Sequence, residues 1–208
     1  MTAPVKELAH SAVSHHLARL RSVDTDSAAF RHHIHVLSMV LGVEATRDIP
    51  VQPCRVTTPL ESVEAWELAG RTAVVPILRA GLGMVEPFLN LLPDVEVRHL
   101  GIYRNEETAE PVSYYNKLPD DNPVDAAFVV DPMLATGGSA SAVIETLKEW
   151  GVKDIRMLAI ISAPEGIARL QNEHNDVPIW TCVIDRELDS NKYIRPGLGD
   201  AGDRIFRT

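Results

Sequence analysis

Short buried strands alternate with helices between about residue 71 and residue 184, and this alternation restricts the fold more than any other feature. Nearly continuous apolar runs, rich in Val, Ile and Ala, have the length of strands and occupy residues 72–78, 126–131, 155–161 and 177–184. A strand that is apolar on both faces needs cover on both faces, as in a parallel sheet with helices on each side. We therefore predict an α/β fold built on a parallel sheet.

The segments between these strands predict the covering helices. Apolar residues at helical spacing indicate a short helix around Phe88 and another over 139–149. A third helix begins at Pro164, in the first helical position that proline prefers. A further strand is predicted over 95–103.

The beginning of the chain is predicted to be helical. Apolar residues at helical spacing surround Val13 and Leu37. Asp26 is a candidate N-cap for the second of these helices, and Gly42 falls near its predicted end. No repeat or Gly/Ser linker divides the 208 residues, so we predict a single domain.

Charge and cysteine content exclude several classes of function. The 20 Lys and Arg residues against 29 Asp and Glu residues give a formal net charge of −9, which disfavours binding to nucleic acid or membrane surfaces through a basic face. Cys54 and Cys182 have neither the pattern of a disulfide framework nor that of a zinc site. Without an apolar run of roughly 20 residues or the apolar core of a signal peptide, the chain is expected to be cytoplasmic.

The loop that follows Asp131 has the composition of a phosphate-binding site. A strand ends at Asp131, and Thr136-Gly137-Gly138-Ser139 precedes a predicted helix. The backbone N–H groups of such a loop and the helix N-terminus attract phosphate, while the carboxylate at the strand end is positioned for a sugar hydroxyl or a metal. A Gly-Lys-Ser/Thr ending is absent, so this is not a nucleotide P-loop. A plain tight turn remains the alternative to a sugar-phosphate site.

Two arginines follow other predicted strands. Arg79 precedes two glycines at the end of the strand over 72–78, and Arg104 is close to Glu106 and Glu107. Because ligands of open α/β sheets bind at the carboxyl ends of the strands, these cations are candidates for a second anionic group. The alternatives are a surface arginine beside a turn and a solvated run of charge.

Two long segments and the histidines complete the pattern. Residues 103–124 predict a flexible arm or hairpin over the site, and the glycine-rich residues from 185 onward predict a closing binding loop. Several histidines are clustered, at 15–16 and 32–35, but without a carboxylate at metal-ligand spacing. We therefore interpret these histidines as surface or partly packed residues and not as a metal site.

With these residues assembled, the chain strongly resembles the uracil phosphoribosyltransferases, a family of type I phosphoribosyltransferases. The stretches that carry the resemblance cover essentially the whole chain and occur in the family's order: VVPILRAGLGM (74–84), YRNEET (103–108), VVDPMLATGGS (129–139), SAPEG (162–166) and YIRPGLGDAGDRIF (193–206).

The resemblance implies an activity and an architecture. The family transfers ribose 5-phosphate from phosphoribosyl pyrophosphate (PRPP) to uracil in pyrimidine salvage, giving UMP and diphosphate. It uses Mg²⁺ held mainly by PRPP and water, with no dedicated protein metal site. The implied division is N-terminal helices and arm over 1–70, an α/β core over 71–184, and a uracil-binding hood over 185–208. A homo-oligomer is implied, and GTP is a candidate effector.

Site residues carry over position by position. Arg79 and Arg104 should contact the diphosphate, and Asp131 the ribose hydroxyls; with Asp200 these form the implied catalytic set. The residues implied for PRPP binding are Arg79, Arg104, Asp131, Pro132, Met133, Leu134, Ala135, Thr136, Gly137, Gly138, Ser139 and Asp200. Those implied for uracil are Ile194, Gly199, Asp200 and Ala201, mainly through main-chain groups.

The sequence differs from the common pattern of these families at two positions, and two other functions are alternatives to this interpretation. Pro132 follows Asp131 where many type I relatives carry a second acid, as uracil-specific members generally show. Arg195 stands where many bacterial members have an apolar residue, which adds a cation near the base loop. The rivals are transfer to another base and a regulator that retains a PRPP-binding domain but binds RNA; the latter needs a basic surface that this chain lacks.

Overall fold

A computed structural model describes residues 2–104, 111–116, 118–119 and 121–208, with the backbone alone over 101–104 and 111–116. The predicted Arg104 side chain and the residues Glu106 and Glu107 therefore lie outside the described part. The helices are α1 (Ser11–Arg21), α2 (Ser27–Ala45), α3 (Val85–Leu91), α4 (Gly138–Trp150), α5 (Pro164–Glu173) and α6 (Ala201–Phe206). The strands are β1 (Val5–Glu7), β2 (Val51–Thr57), β3 (Ser62–Leu68), β4 (Thr72–Pro76), β5 (Glu96–Val97), β6 (Leu100–Arg104), β7 (Pro111–Asn116), β8 (Ala126–Leu134), β9 (Asp154–Ser162), β10 (Ile179–Ile184), β11 (Glu187–Leu188) and β12 (Ile194–Arg195).

The predicted parallel sheet is confirmed. Six strands lie in the order β1-β10-β9-β8-β4-β5, and every neighbouring pair is parallel. The edge strand β1 is absent from the prediction because three residues carry too little pattern. The strand predicted over 95–103 is divided: β5 joins the sheet, whereas β6 pairs antiparallel with β7.

Helices cover both faces of the sheet, as the apolar strands require. On one face Val74, Phe128 and Leu158 pack in a cluster with Phe30 and Leu37 of α2. On the other face the alternate residues, such as Val75 and Val129, pack with Val143 and Leu147 of α4. Each fully buried side chain of this size stabilises the fold by roughly 1.5–3 kcal/mol, so the two clusters fix the strands and the positions at which they end.

The N-terminal helices form as predicted. The Asp26 carboxylate accepts a hydrogen bond from the Ala29 N–H at 2.8 Å, which confirms the N-cap. Gly42 lies near the end of α2, as predicted, three residues before its last residue, Ala45. A Cβ at Gly42 would lie 2.9 Å from Leu91, so this glycine permits close packing against α3 and does not end the helix.

An exposed hairpin follows these helices. Strands β2 and β3 pair antiparallel over seven residues each and form no part of the main sheet. Most of their side chains are exposed, Trp66 by 64%. This hairpin falls within the arm implied for residues 1–70, although its strands were not predicted individually.

Residues 185–208, the hood, contain more regular structure than the predicted binding loop. They comprise the short hairpin of β11 and β12 and the helix α6. Leu198, Ala201 and Ile205 bury their side chains against the cluster that includes α2. None of the helices in the described ranges has the length and apolar character needed to cross a bilayer.

Candidate active site

Sheet order brings two predicted site residues to one edge. Strands β4 and β8 are neighbours, with Pro76 opposite Val130 in the register. The chain after β4 and the last residues of β8 therefore lie at the same carboxyl edge. Arg79 follows β4, whereas Asp131 lies inside β8, which continues three residues past the predicted strand end to Leu134. A cleft of about 320 Å³ opens there, lined by Ile77, Leu78, Arg79, Ala80, Asp131, Met133, Ala135, Ser139, Lys192, Tyr193, Gly199, Asp200, Ala201 and Gly202.

Asp131 is a half-buried carboxylate in the wall of this cleft. Burial, and to a lesser degree the negative charge of Asp200, raise its pKa from 3.8 to about 7. The Met133 N–H donates to Oδ1 at 3.2 Å and opposes this rise. A carboxylate that titrates near neutrality in a cleft is typical of a functional site.

The loop over residues 135–139, which we call the phosphate loop, joins β8 to α4. Gly137 precedes the helix with a φ of 76°, a left-handed conformation that glycine adopts without strain. The N-terminus of α4, with its free N–H groups and positive dipole end, lies at this loop. Free N–H groups at a helix N-terminus can attract an anion, and the binding of phosphate by this loop stays a prediction.

Close packing against α5 supports the phosphate loop from behind. A Cβ on Gly166, within the SAPEG stretch, would overlap the carbonyl oxygen of Ala135. A Cβ on Gly137 would lie 3.0 Å from the Gly166 carbonyl oxygen. The glycines at these positions allow the start of α5 to contact the loop directly.

The same helix adds a cation that the sequence analysis missed. A Cβ on Gly138 would lie 3.1 Å from Nη1 of Arg169, so this guanidinium is next to the phosphate loop. Arg169 Nε donates to both carboxylate oxygens of Glu173, at 3.0 and 3.1 Å. Its spacing from the loop in sequence gave no signal, because only the packing of α5 brings the two together.

Arg79 contacts the hood across the mouth of the cleft. It follows a cis peptide bond between Leu78 and Arg79. Its Nη2 lies 3.1 Å from Oδ1 of Asp203, and its Nη1 donates to the Thr208 hydroxyl at 3.2 Å. Both charged side chains are about half exposed, at 59% and 49%. Exposed pairs of this kind contribute little stability, so Arg79 can exchange Asp203 for an anionic ligand at low cost.

The hood lines the cleft with Lys192, Tyr193 and residues 199–202, three of which are Gly or Ala. Asp200 caps α6 by accepting a hydrogen bond from the Asp203 N–H at 2.9 Å. Gly199 precedes it with a φ of 81°. A Cβ on Gly197, whose φ is 65°, would overlap the Ile194 carbonyl oxygen. The close turns at these glycines carry the main chain past the cleft.

Polar contacts attach the hood to the N-terminal helices. The Arg21 guanidinium donates to both oxygens of Asp185, at 2.6 and 2.9 Å, and to the Gly197 carbonyl at 2.8 Å. Arg204 donates to the carbonyl oxygens of Leu20, Ser22 and Leu198 at 2.6–2.9 Å. The end of α1 therefore determines where the hood lies.

The unusual Arg195 does not line the cleft. Its Nε and Nη2 lie 3.0 and 2.9 Å from Oδ2 of Asp189, so the guanidinium closes the hairpin of β11 and β12. The side chain is 58% exposed. The cation that departs from the family pattern is thus neutralised at the surface.

The structure brings together eight of the predicted site residues, which line the cleft: Arg79, Asp131, Met133, Ala135, Ser139, Gly199, Asp200 and Ala201. The other described ones belong to the same segments without lining it: Pro132, Leu134, Thr136, Gly137, Gly138 and Ile194. The cleft-lining residues that were missed are Ile77, Leu78, Ala80, Lys192, Tyr193 and Gly202. All six are adjacent in sequence to a predicted site residue or motif, and this proximity is the sequence signal by which they could have been found.

Comparisons with known proteins agree on one family. The family model described as "Uracil phosphoribosyltransferase" matches residues 7–208. A protein named uracil phosphoribosyltransferase from Roseiflexus sp. (strain RS-1) is 52% identical over 199 residues, covering 96% of each chain.

Solved structures agree with this result. The structure of the AQ2163 protein from Aquifex aeolicus superposes with a TM-score of 0.91 at 34% identity, over 97% of each chain. A hypoxanthine-guanine phosphoribosyltransferase from Bacillus anthracis shares the fold, with a TM-score of 0.51 at 10% identity over 76% of this chain and 80% of its own. From the family model and the relatives that match nearly its whole length, this chain belongs to the uracil phosphoribosyltransferase family.

Proposed function

We propose that this chain transfers ribose 5-phosphate from PRPP to uracil, forming UMP and diphosphate in pyrimidine salvage. The observation that carries the proposal is the meeting of Asp131, the phosphate loop and the Gly199–Ala201 backbone in one cleft of a member of this family. An acidic group, an anion-binding loop and a backbone edge are the parts that a sugar phosphate and a base require.

In this proposal the phosphate loop binds the 5-phosphate of PRPP. The backbone N–H groups of residues 135–139 and the N-terminus of α4 supply donors and positive potential. Arg169 adds a cation beside Gly138. Fixing this phosphate positions the anomeric carbon relative to the base, and such positioning accounts for a large part of the rate of a bimolecular reaction.

Asp131 then binds the ribose hydroxyls. Its oxygens accept hydrogen bonds from the two hydroxyl groups most strongly when the carboxyl is ionised, because the charged form is acceptor-only and its hydrogen bonds are charge-assisted. Asp200 faces the same cleft and acts on the ionisation of Asp131. We expect the cation that accompanies PRPP to favour the ionised form of Asp131.

Arg79 and Arg104 are proposed to bind the diphosphate. The bond between the anomeric carbon and the diphosphate oxygen breaks with its electron pair leaving on the diphosphate, while the uracil nitrogen forms the new bond and loses its proton to solvent. Arginines aimed at the leaving oxygens stabilise the charge as it develops. Arg79 is available because its contact with Asp203 is exposed.

The residues of the cleft fit a magnesium ion. Asp131 and Asp200 offer carboxylate oxygens on its wall, the ligand type that Mg²⁺ prefers, and Mg²⁺ usually retains waters and substrate phosphates as its other ligands. We propose that PRPP oxygens and water hold most of it, with these two carboxylates nearest. When bound, Mg²⁺ neutralises negative charge on the diphosphate.

Uracil is proposed to pair with main-chain groups of Ile194, Gly199 and Ala201. Cytosine has a hydrogen-bond donor where uracil has an acceptor, so it would leave these main-chain groups unpaired. The cost of the unpaired groups should prevent cytosine from binding. Transfer to another base is the alternative. The test is a panel of pyrimidine and purine bases with PRPP and Mg²⁺, followed by nucleotide formation. We expect UMP alone; turnover with a different base and none with uracil would overturn the proposal.

We further propose a homo-oligomer that acts in the cytosol. The β2–β3 hairpin exposes a set of apolar side chains suited to burial against another copy: Val51, Val56, Val63, Trp66 and Leu68. The free thiols Cys54 and Cys182 suit a reducing compartment. Light scattering of the purified protein tests the assembly, and a monomer at assay concentrations would contradict it. Turnover with and without GTP tests the candidate effector.

A further inference from the structure

Three histidines from two helices meet on the surface remote in sequence from the cleft residues. His16 belongs to α1, and His32 and His33 belong to α2. One ring nitrogen of each lies within 4.8 Å of those of the other two. Within the described ranges, this is the one group of three or more His, Cys, Asp or Glu side chains with metal-ligand proximity.

The rings are arranged around a common point and are not scattered over the surface. Nδ1 of His16 and Nδ1 of His33 are 2.8 Å apart. The ring centroids of His33 and His32 lie 5.1 and 6.0 Å from that of His16. A contact between two Nδ1 atoms holds a single proton, so at least one lone pair is directed into the space between the rings.

We propose that His16, His32 and His33 form a binding site for a borderline transition-metal cation such as Zn²⁺. Three imidazoles leave a fourth, open position for water, as in known sites with three histidine ligands. Zn–N bonds of about 2.0–2.1 Å in tetrahedral geometry imply ligand nitrogens roughly 3.3 Å apart. The His16–His33 pair must widen by roughly 0.5 Å, and rotation of the exposed His32 ring brings in the third ligand.

The ligand type is compatible with this cation. Metal binds the unprotonated nitrogen of an imidazole ring. Imidazole suits zinc, nickel and copper, whereas Mg²⁺ prefers oxygen. The proposed site thus selects a different metal class from the one that serves the cleft.

Because of its position, metal binding at this site should stabilise the fold. The site joins α1 to α2, and α1 ends at Arg21, which bonds Asp185 and the Gly197 carbonyl in the hood. A cation bound to the folded form alone raises the midpoint of thermal unfolding. We expect this rise in the full chain with ZnCl₂.

The test uses untagged full-length protein, since a histidine tag would itself bind the metal. Calorimetric titration with ZnCl₂ should give one site per chain. His16→Gln, His32→Gln and His33→Gln should each weaken binding by at least about tenfold, the lower end of the loss seen for outer-shell partners. His35→Gln on the same helix and the exposed His99→Gln serve as matched controls and should leave the affinity unchanged.

Cobalt provides an independent readout, because four-coordinate Co²⁺ absorbs visible light more strongly than six-coordinate Co²⁺. We expect this absorption in the wild type and its loss in His33→Gln. His32 is exposed, so His32→Gln retains the fold even if the more buried variants do not. Equal zinc affinity in the wild type and His32→Gln, or no saturable binding by the wild type, would overturn the proposal.

Discussion

The wall of the cleft formed by residues 131–139 continues from a strand in the middle of the sheet, whereas the opposite wall, the hood, is attached from outside the sheet. Strand β8 lies between β4 and β9, with its first five residues buried. The hood combines a few buried apolar side chains with the contacts of Arg21 and Arg204 to carbonyl and carboxylate oxygens. The position of the wall formed by residues 131–139 is therefore set by the packing of the core, whereas the position of the hood depends on contacts with the N-terminal helices.

This difference separates stability from chemistry. Substitutions in the sheet wall that alter only cleft-facing atoms should weaken the binding of PRPP with little effect on folding. Substitutions that remove contacts of the hood should lower the stability of the fold and weaken the binding of uracil together. The predictions below test this separation, from the largest expected effect to the smallest.

Asp131→Asn should give the largest effect on turnover. We expect kcat/KM for PRPP to fall by about 10²–10³-fold, the range for loss of one preorganised electrostatic group, because the amide carries no charge and has one oxygen acceptor. The thermal midpoint should not fall, since burial and Asp200 already disfavour the ionised carboxyl. Steady-state kinetics and thermal unfolding measure both, with the exposed Asp94→Asn as control. Near-wild-type turnover would remove Asp131 from the site.

Arg21→Ala should give the largest effect on stability. It leaves Asp185 buried, with 3% of its side chain exposed, and without its cation. Loss of one partner of a buried pair costs about 3–5 kcal/mol; since Arg21 is 24% exposed, we expect about 2–3 kcal/mol.

The Arg21→Ala experiment combines urea unfolding with kinetics. We expect KM for uracil to rise more than KM for PRPP, because the hood and not the sheet wall is released. Arg47→Ala, which breaks an exposed pair with Glu44, is the matched control and should change neither quantity. An equal rise in both KM values would contradict the assignment of the hood to the base.

The pH profile tests the ionisation of Asp131. Because its pKa in the free protein is raised from 3.8 to about 7, kcat/KM for PRPP should fall about tenfold for each pH unit below that value. The raised pKa also means that the folded protein favours the protonated form. The ionised group therefore destabilises the fold progressively as pH rises from about 4 to about 7, and the stability advantage of Asp131→Asn should grow over the same interval. A flat profile down to pH 5 would contradict the shift.

Gly137→Ala and Gly151→Ala form a matched pair at the two ends of α4. Gly137 has a φ of 76° and Gly151 a φ of 105°, so alanine should cost about 1–2 kcal/mol of stability at Gly151. The cost should be larger at Gly137, where a Cβ would also lie 3.0 Å from the Gly166 carbonyl oxygen. Only Gly137 belongs to the phosphate loop, and only Gly137→Ala should raise KM for PRPP. Equal KM values for PRPP in the two variants would show that the 5-phosphate of PRPP does not bind at the phosphate loop.

Arg169→Ala should give the smallest effect. Its guanidinium is exposed by 40% and already paired with Glu173, so we expect KM for PRPP to rise about two- to fivefold, as for a charge at a helix terminus. The exposed Lys153→Ala controls for the loss of one positive charge. An unchanged KM would exclude Arg169 from phosphate binding.

The core and the sheet wall were predictable from sequence because their signals are local. Apolar runs defined β4, β8, β9 and β10, and the two glycines after Asp131 marked the phosphate loop within a few residues of the strand. The position of Arg79 after a predicted strand marked it as a candidate, and family resemblance added Asp200; both line the same cleft in the structure. The roles assigned to these residues stay predictions.

The contacts that were not predicted join residues far apart in the chain. Arg21 and Asp185 are 164 residues apart, and the three-residue β1 pairs with β10. His16 and His33 lie on different helices, so their spacing in sequence concealed their proximity in space.

The attachment of the hood has a consequence for synthesis of the protein. Arg204 binds carbonyl oxygens at the end of α1, and the Ile179–Thr181 register holds β1 at the sheet edge. A chain still emerging from the ribosome holds these early segments without their partners until residue 204 has left the ribosome. The hood can therefore close over the cleft only after that point.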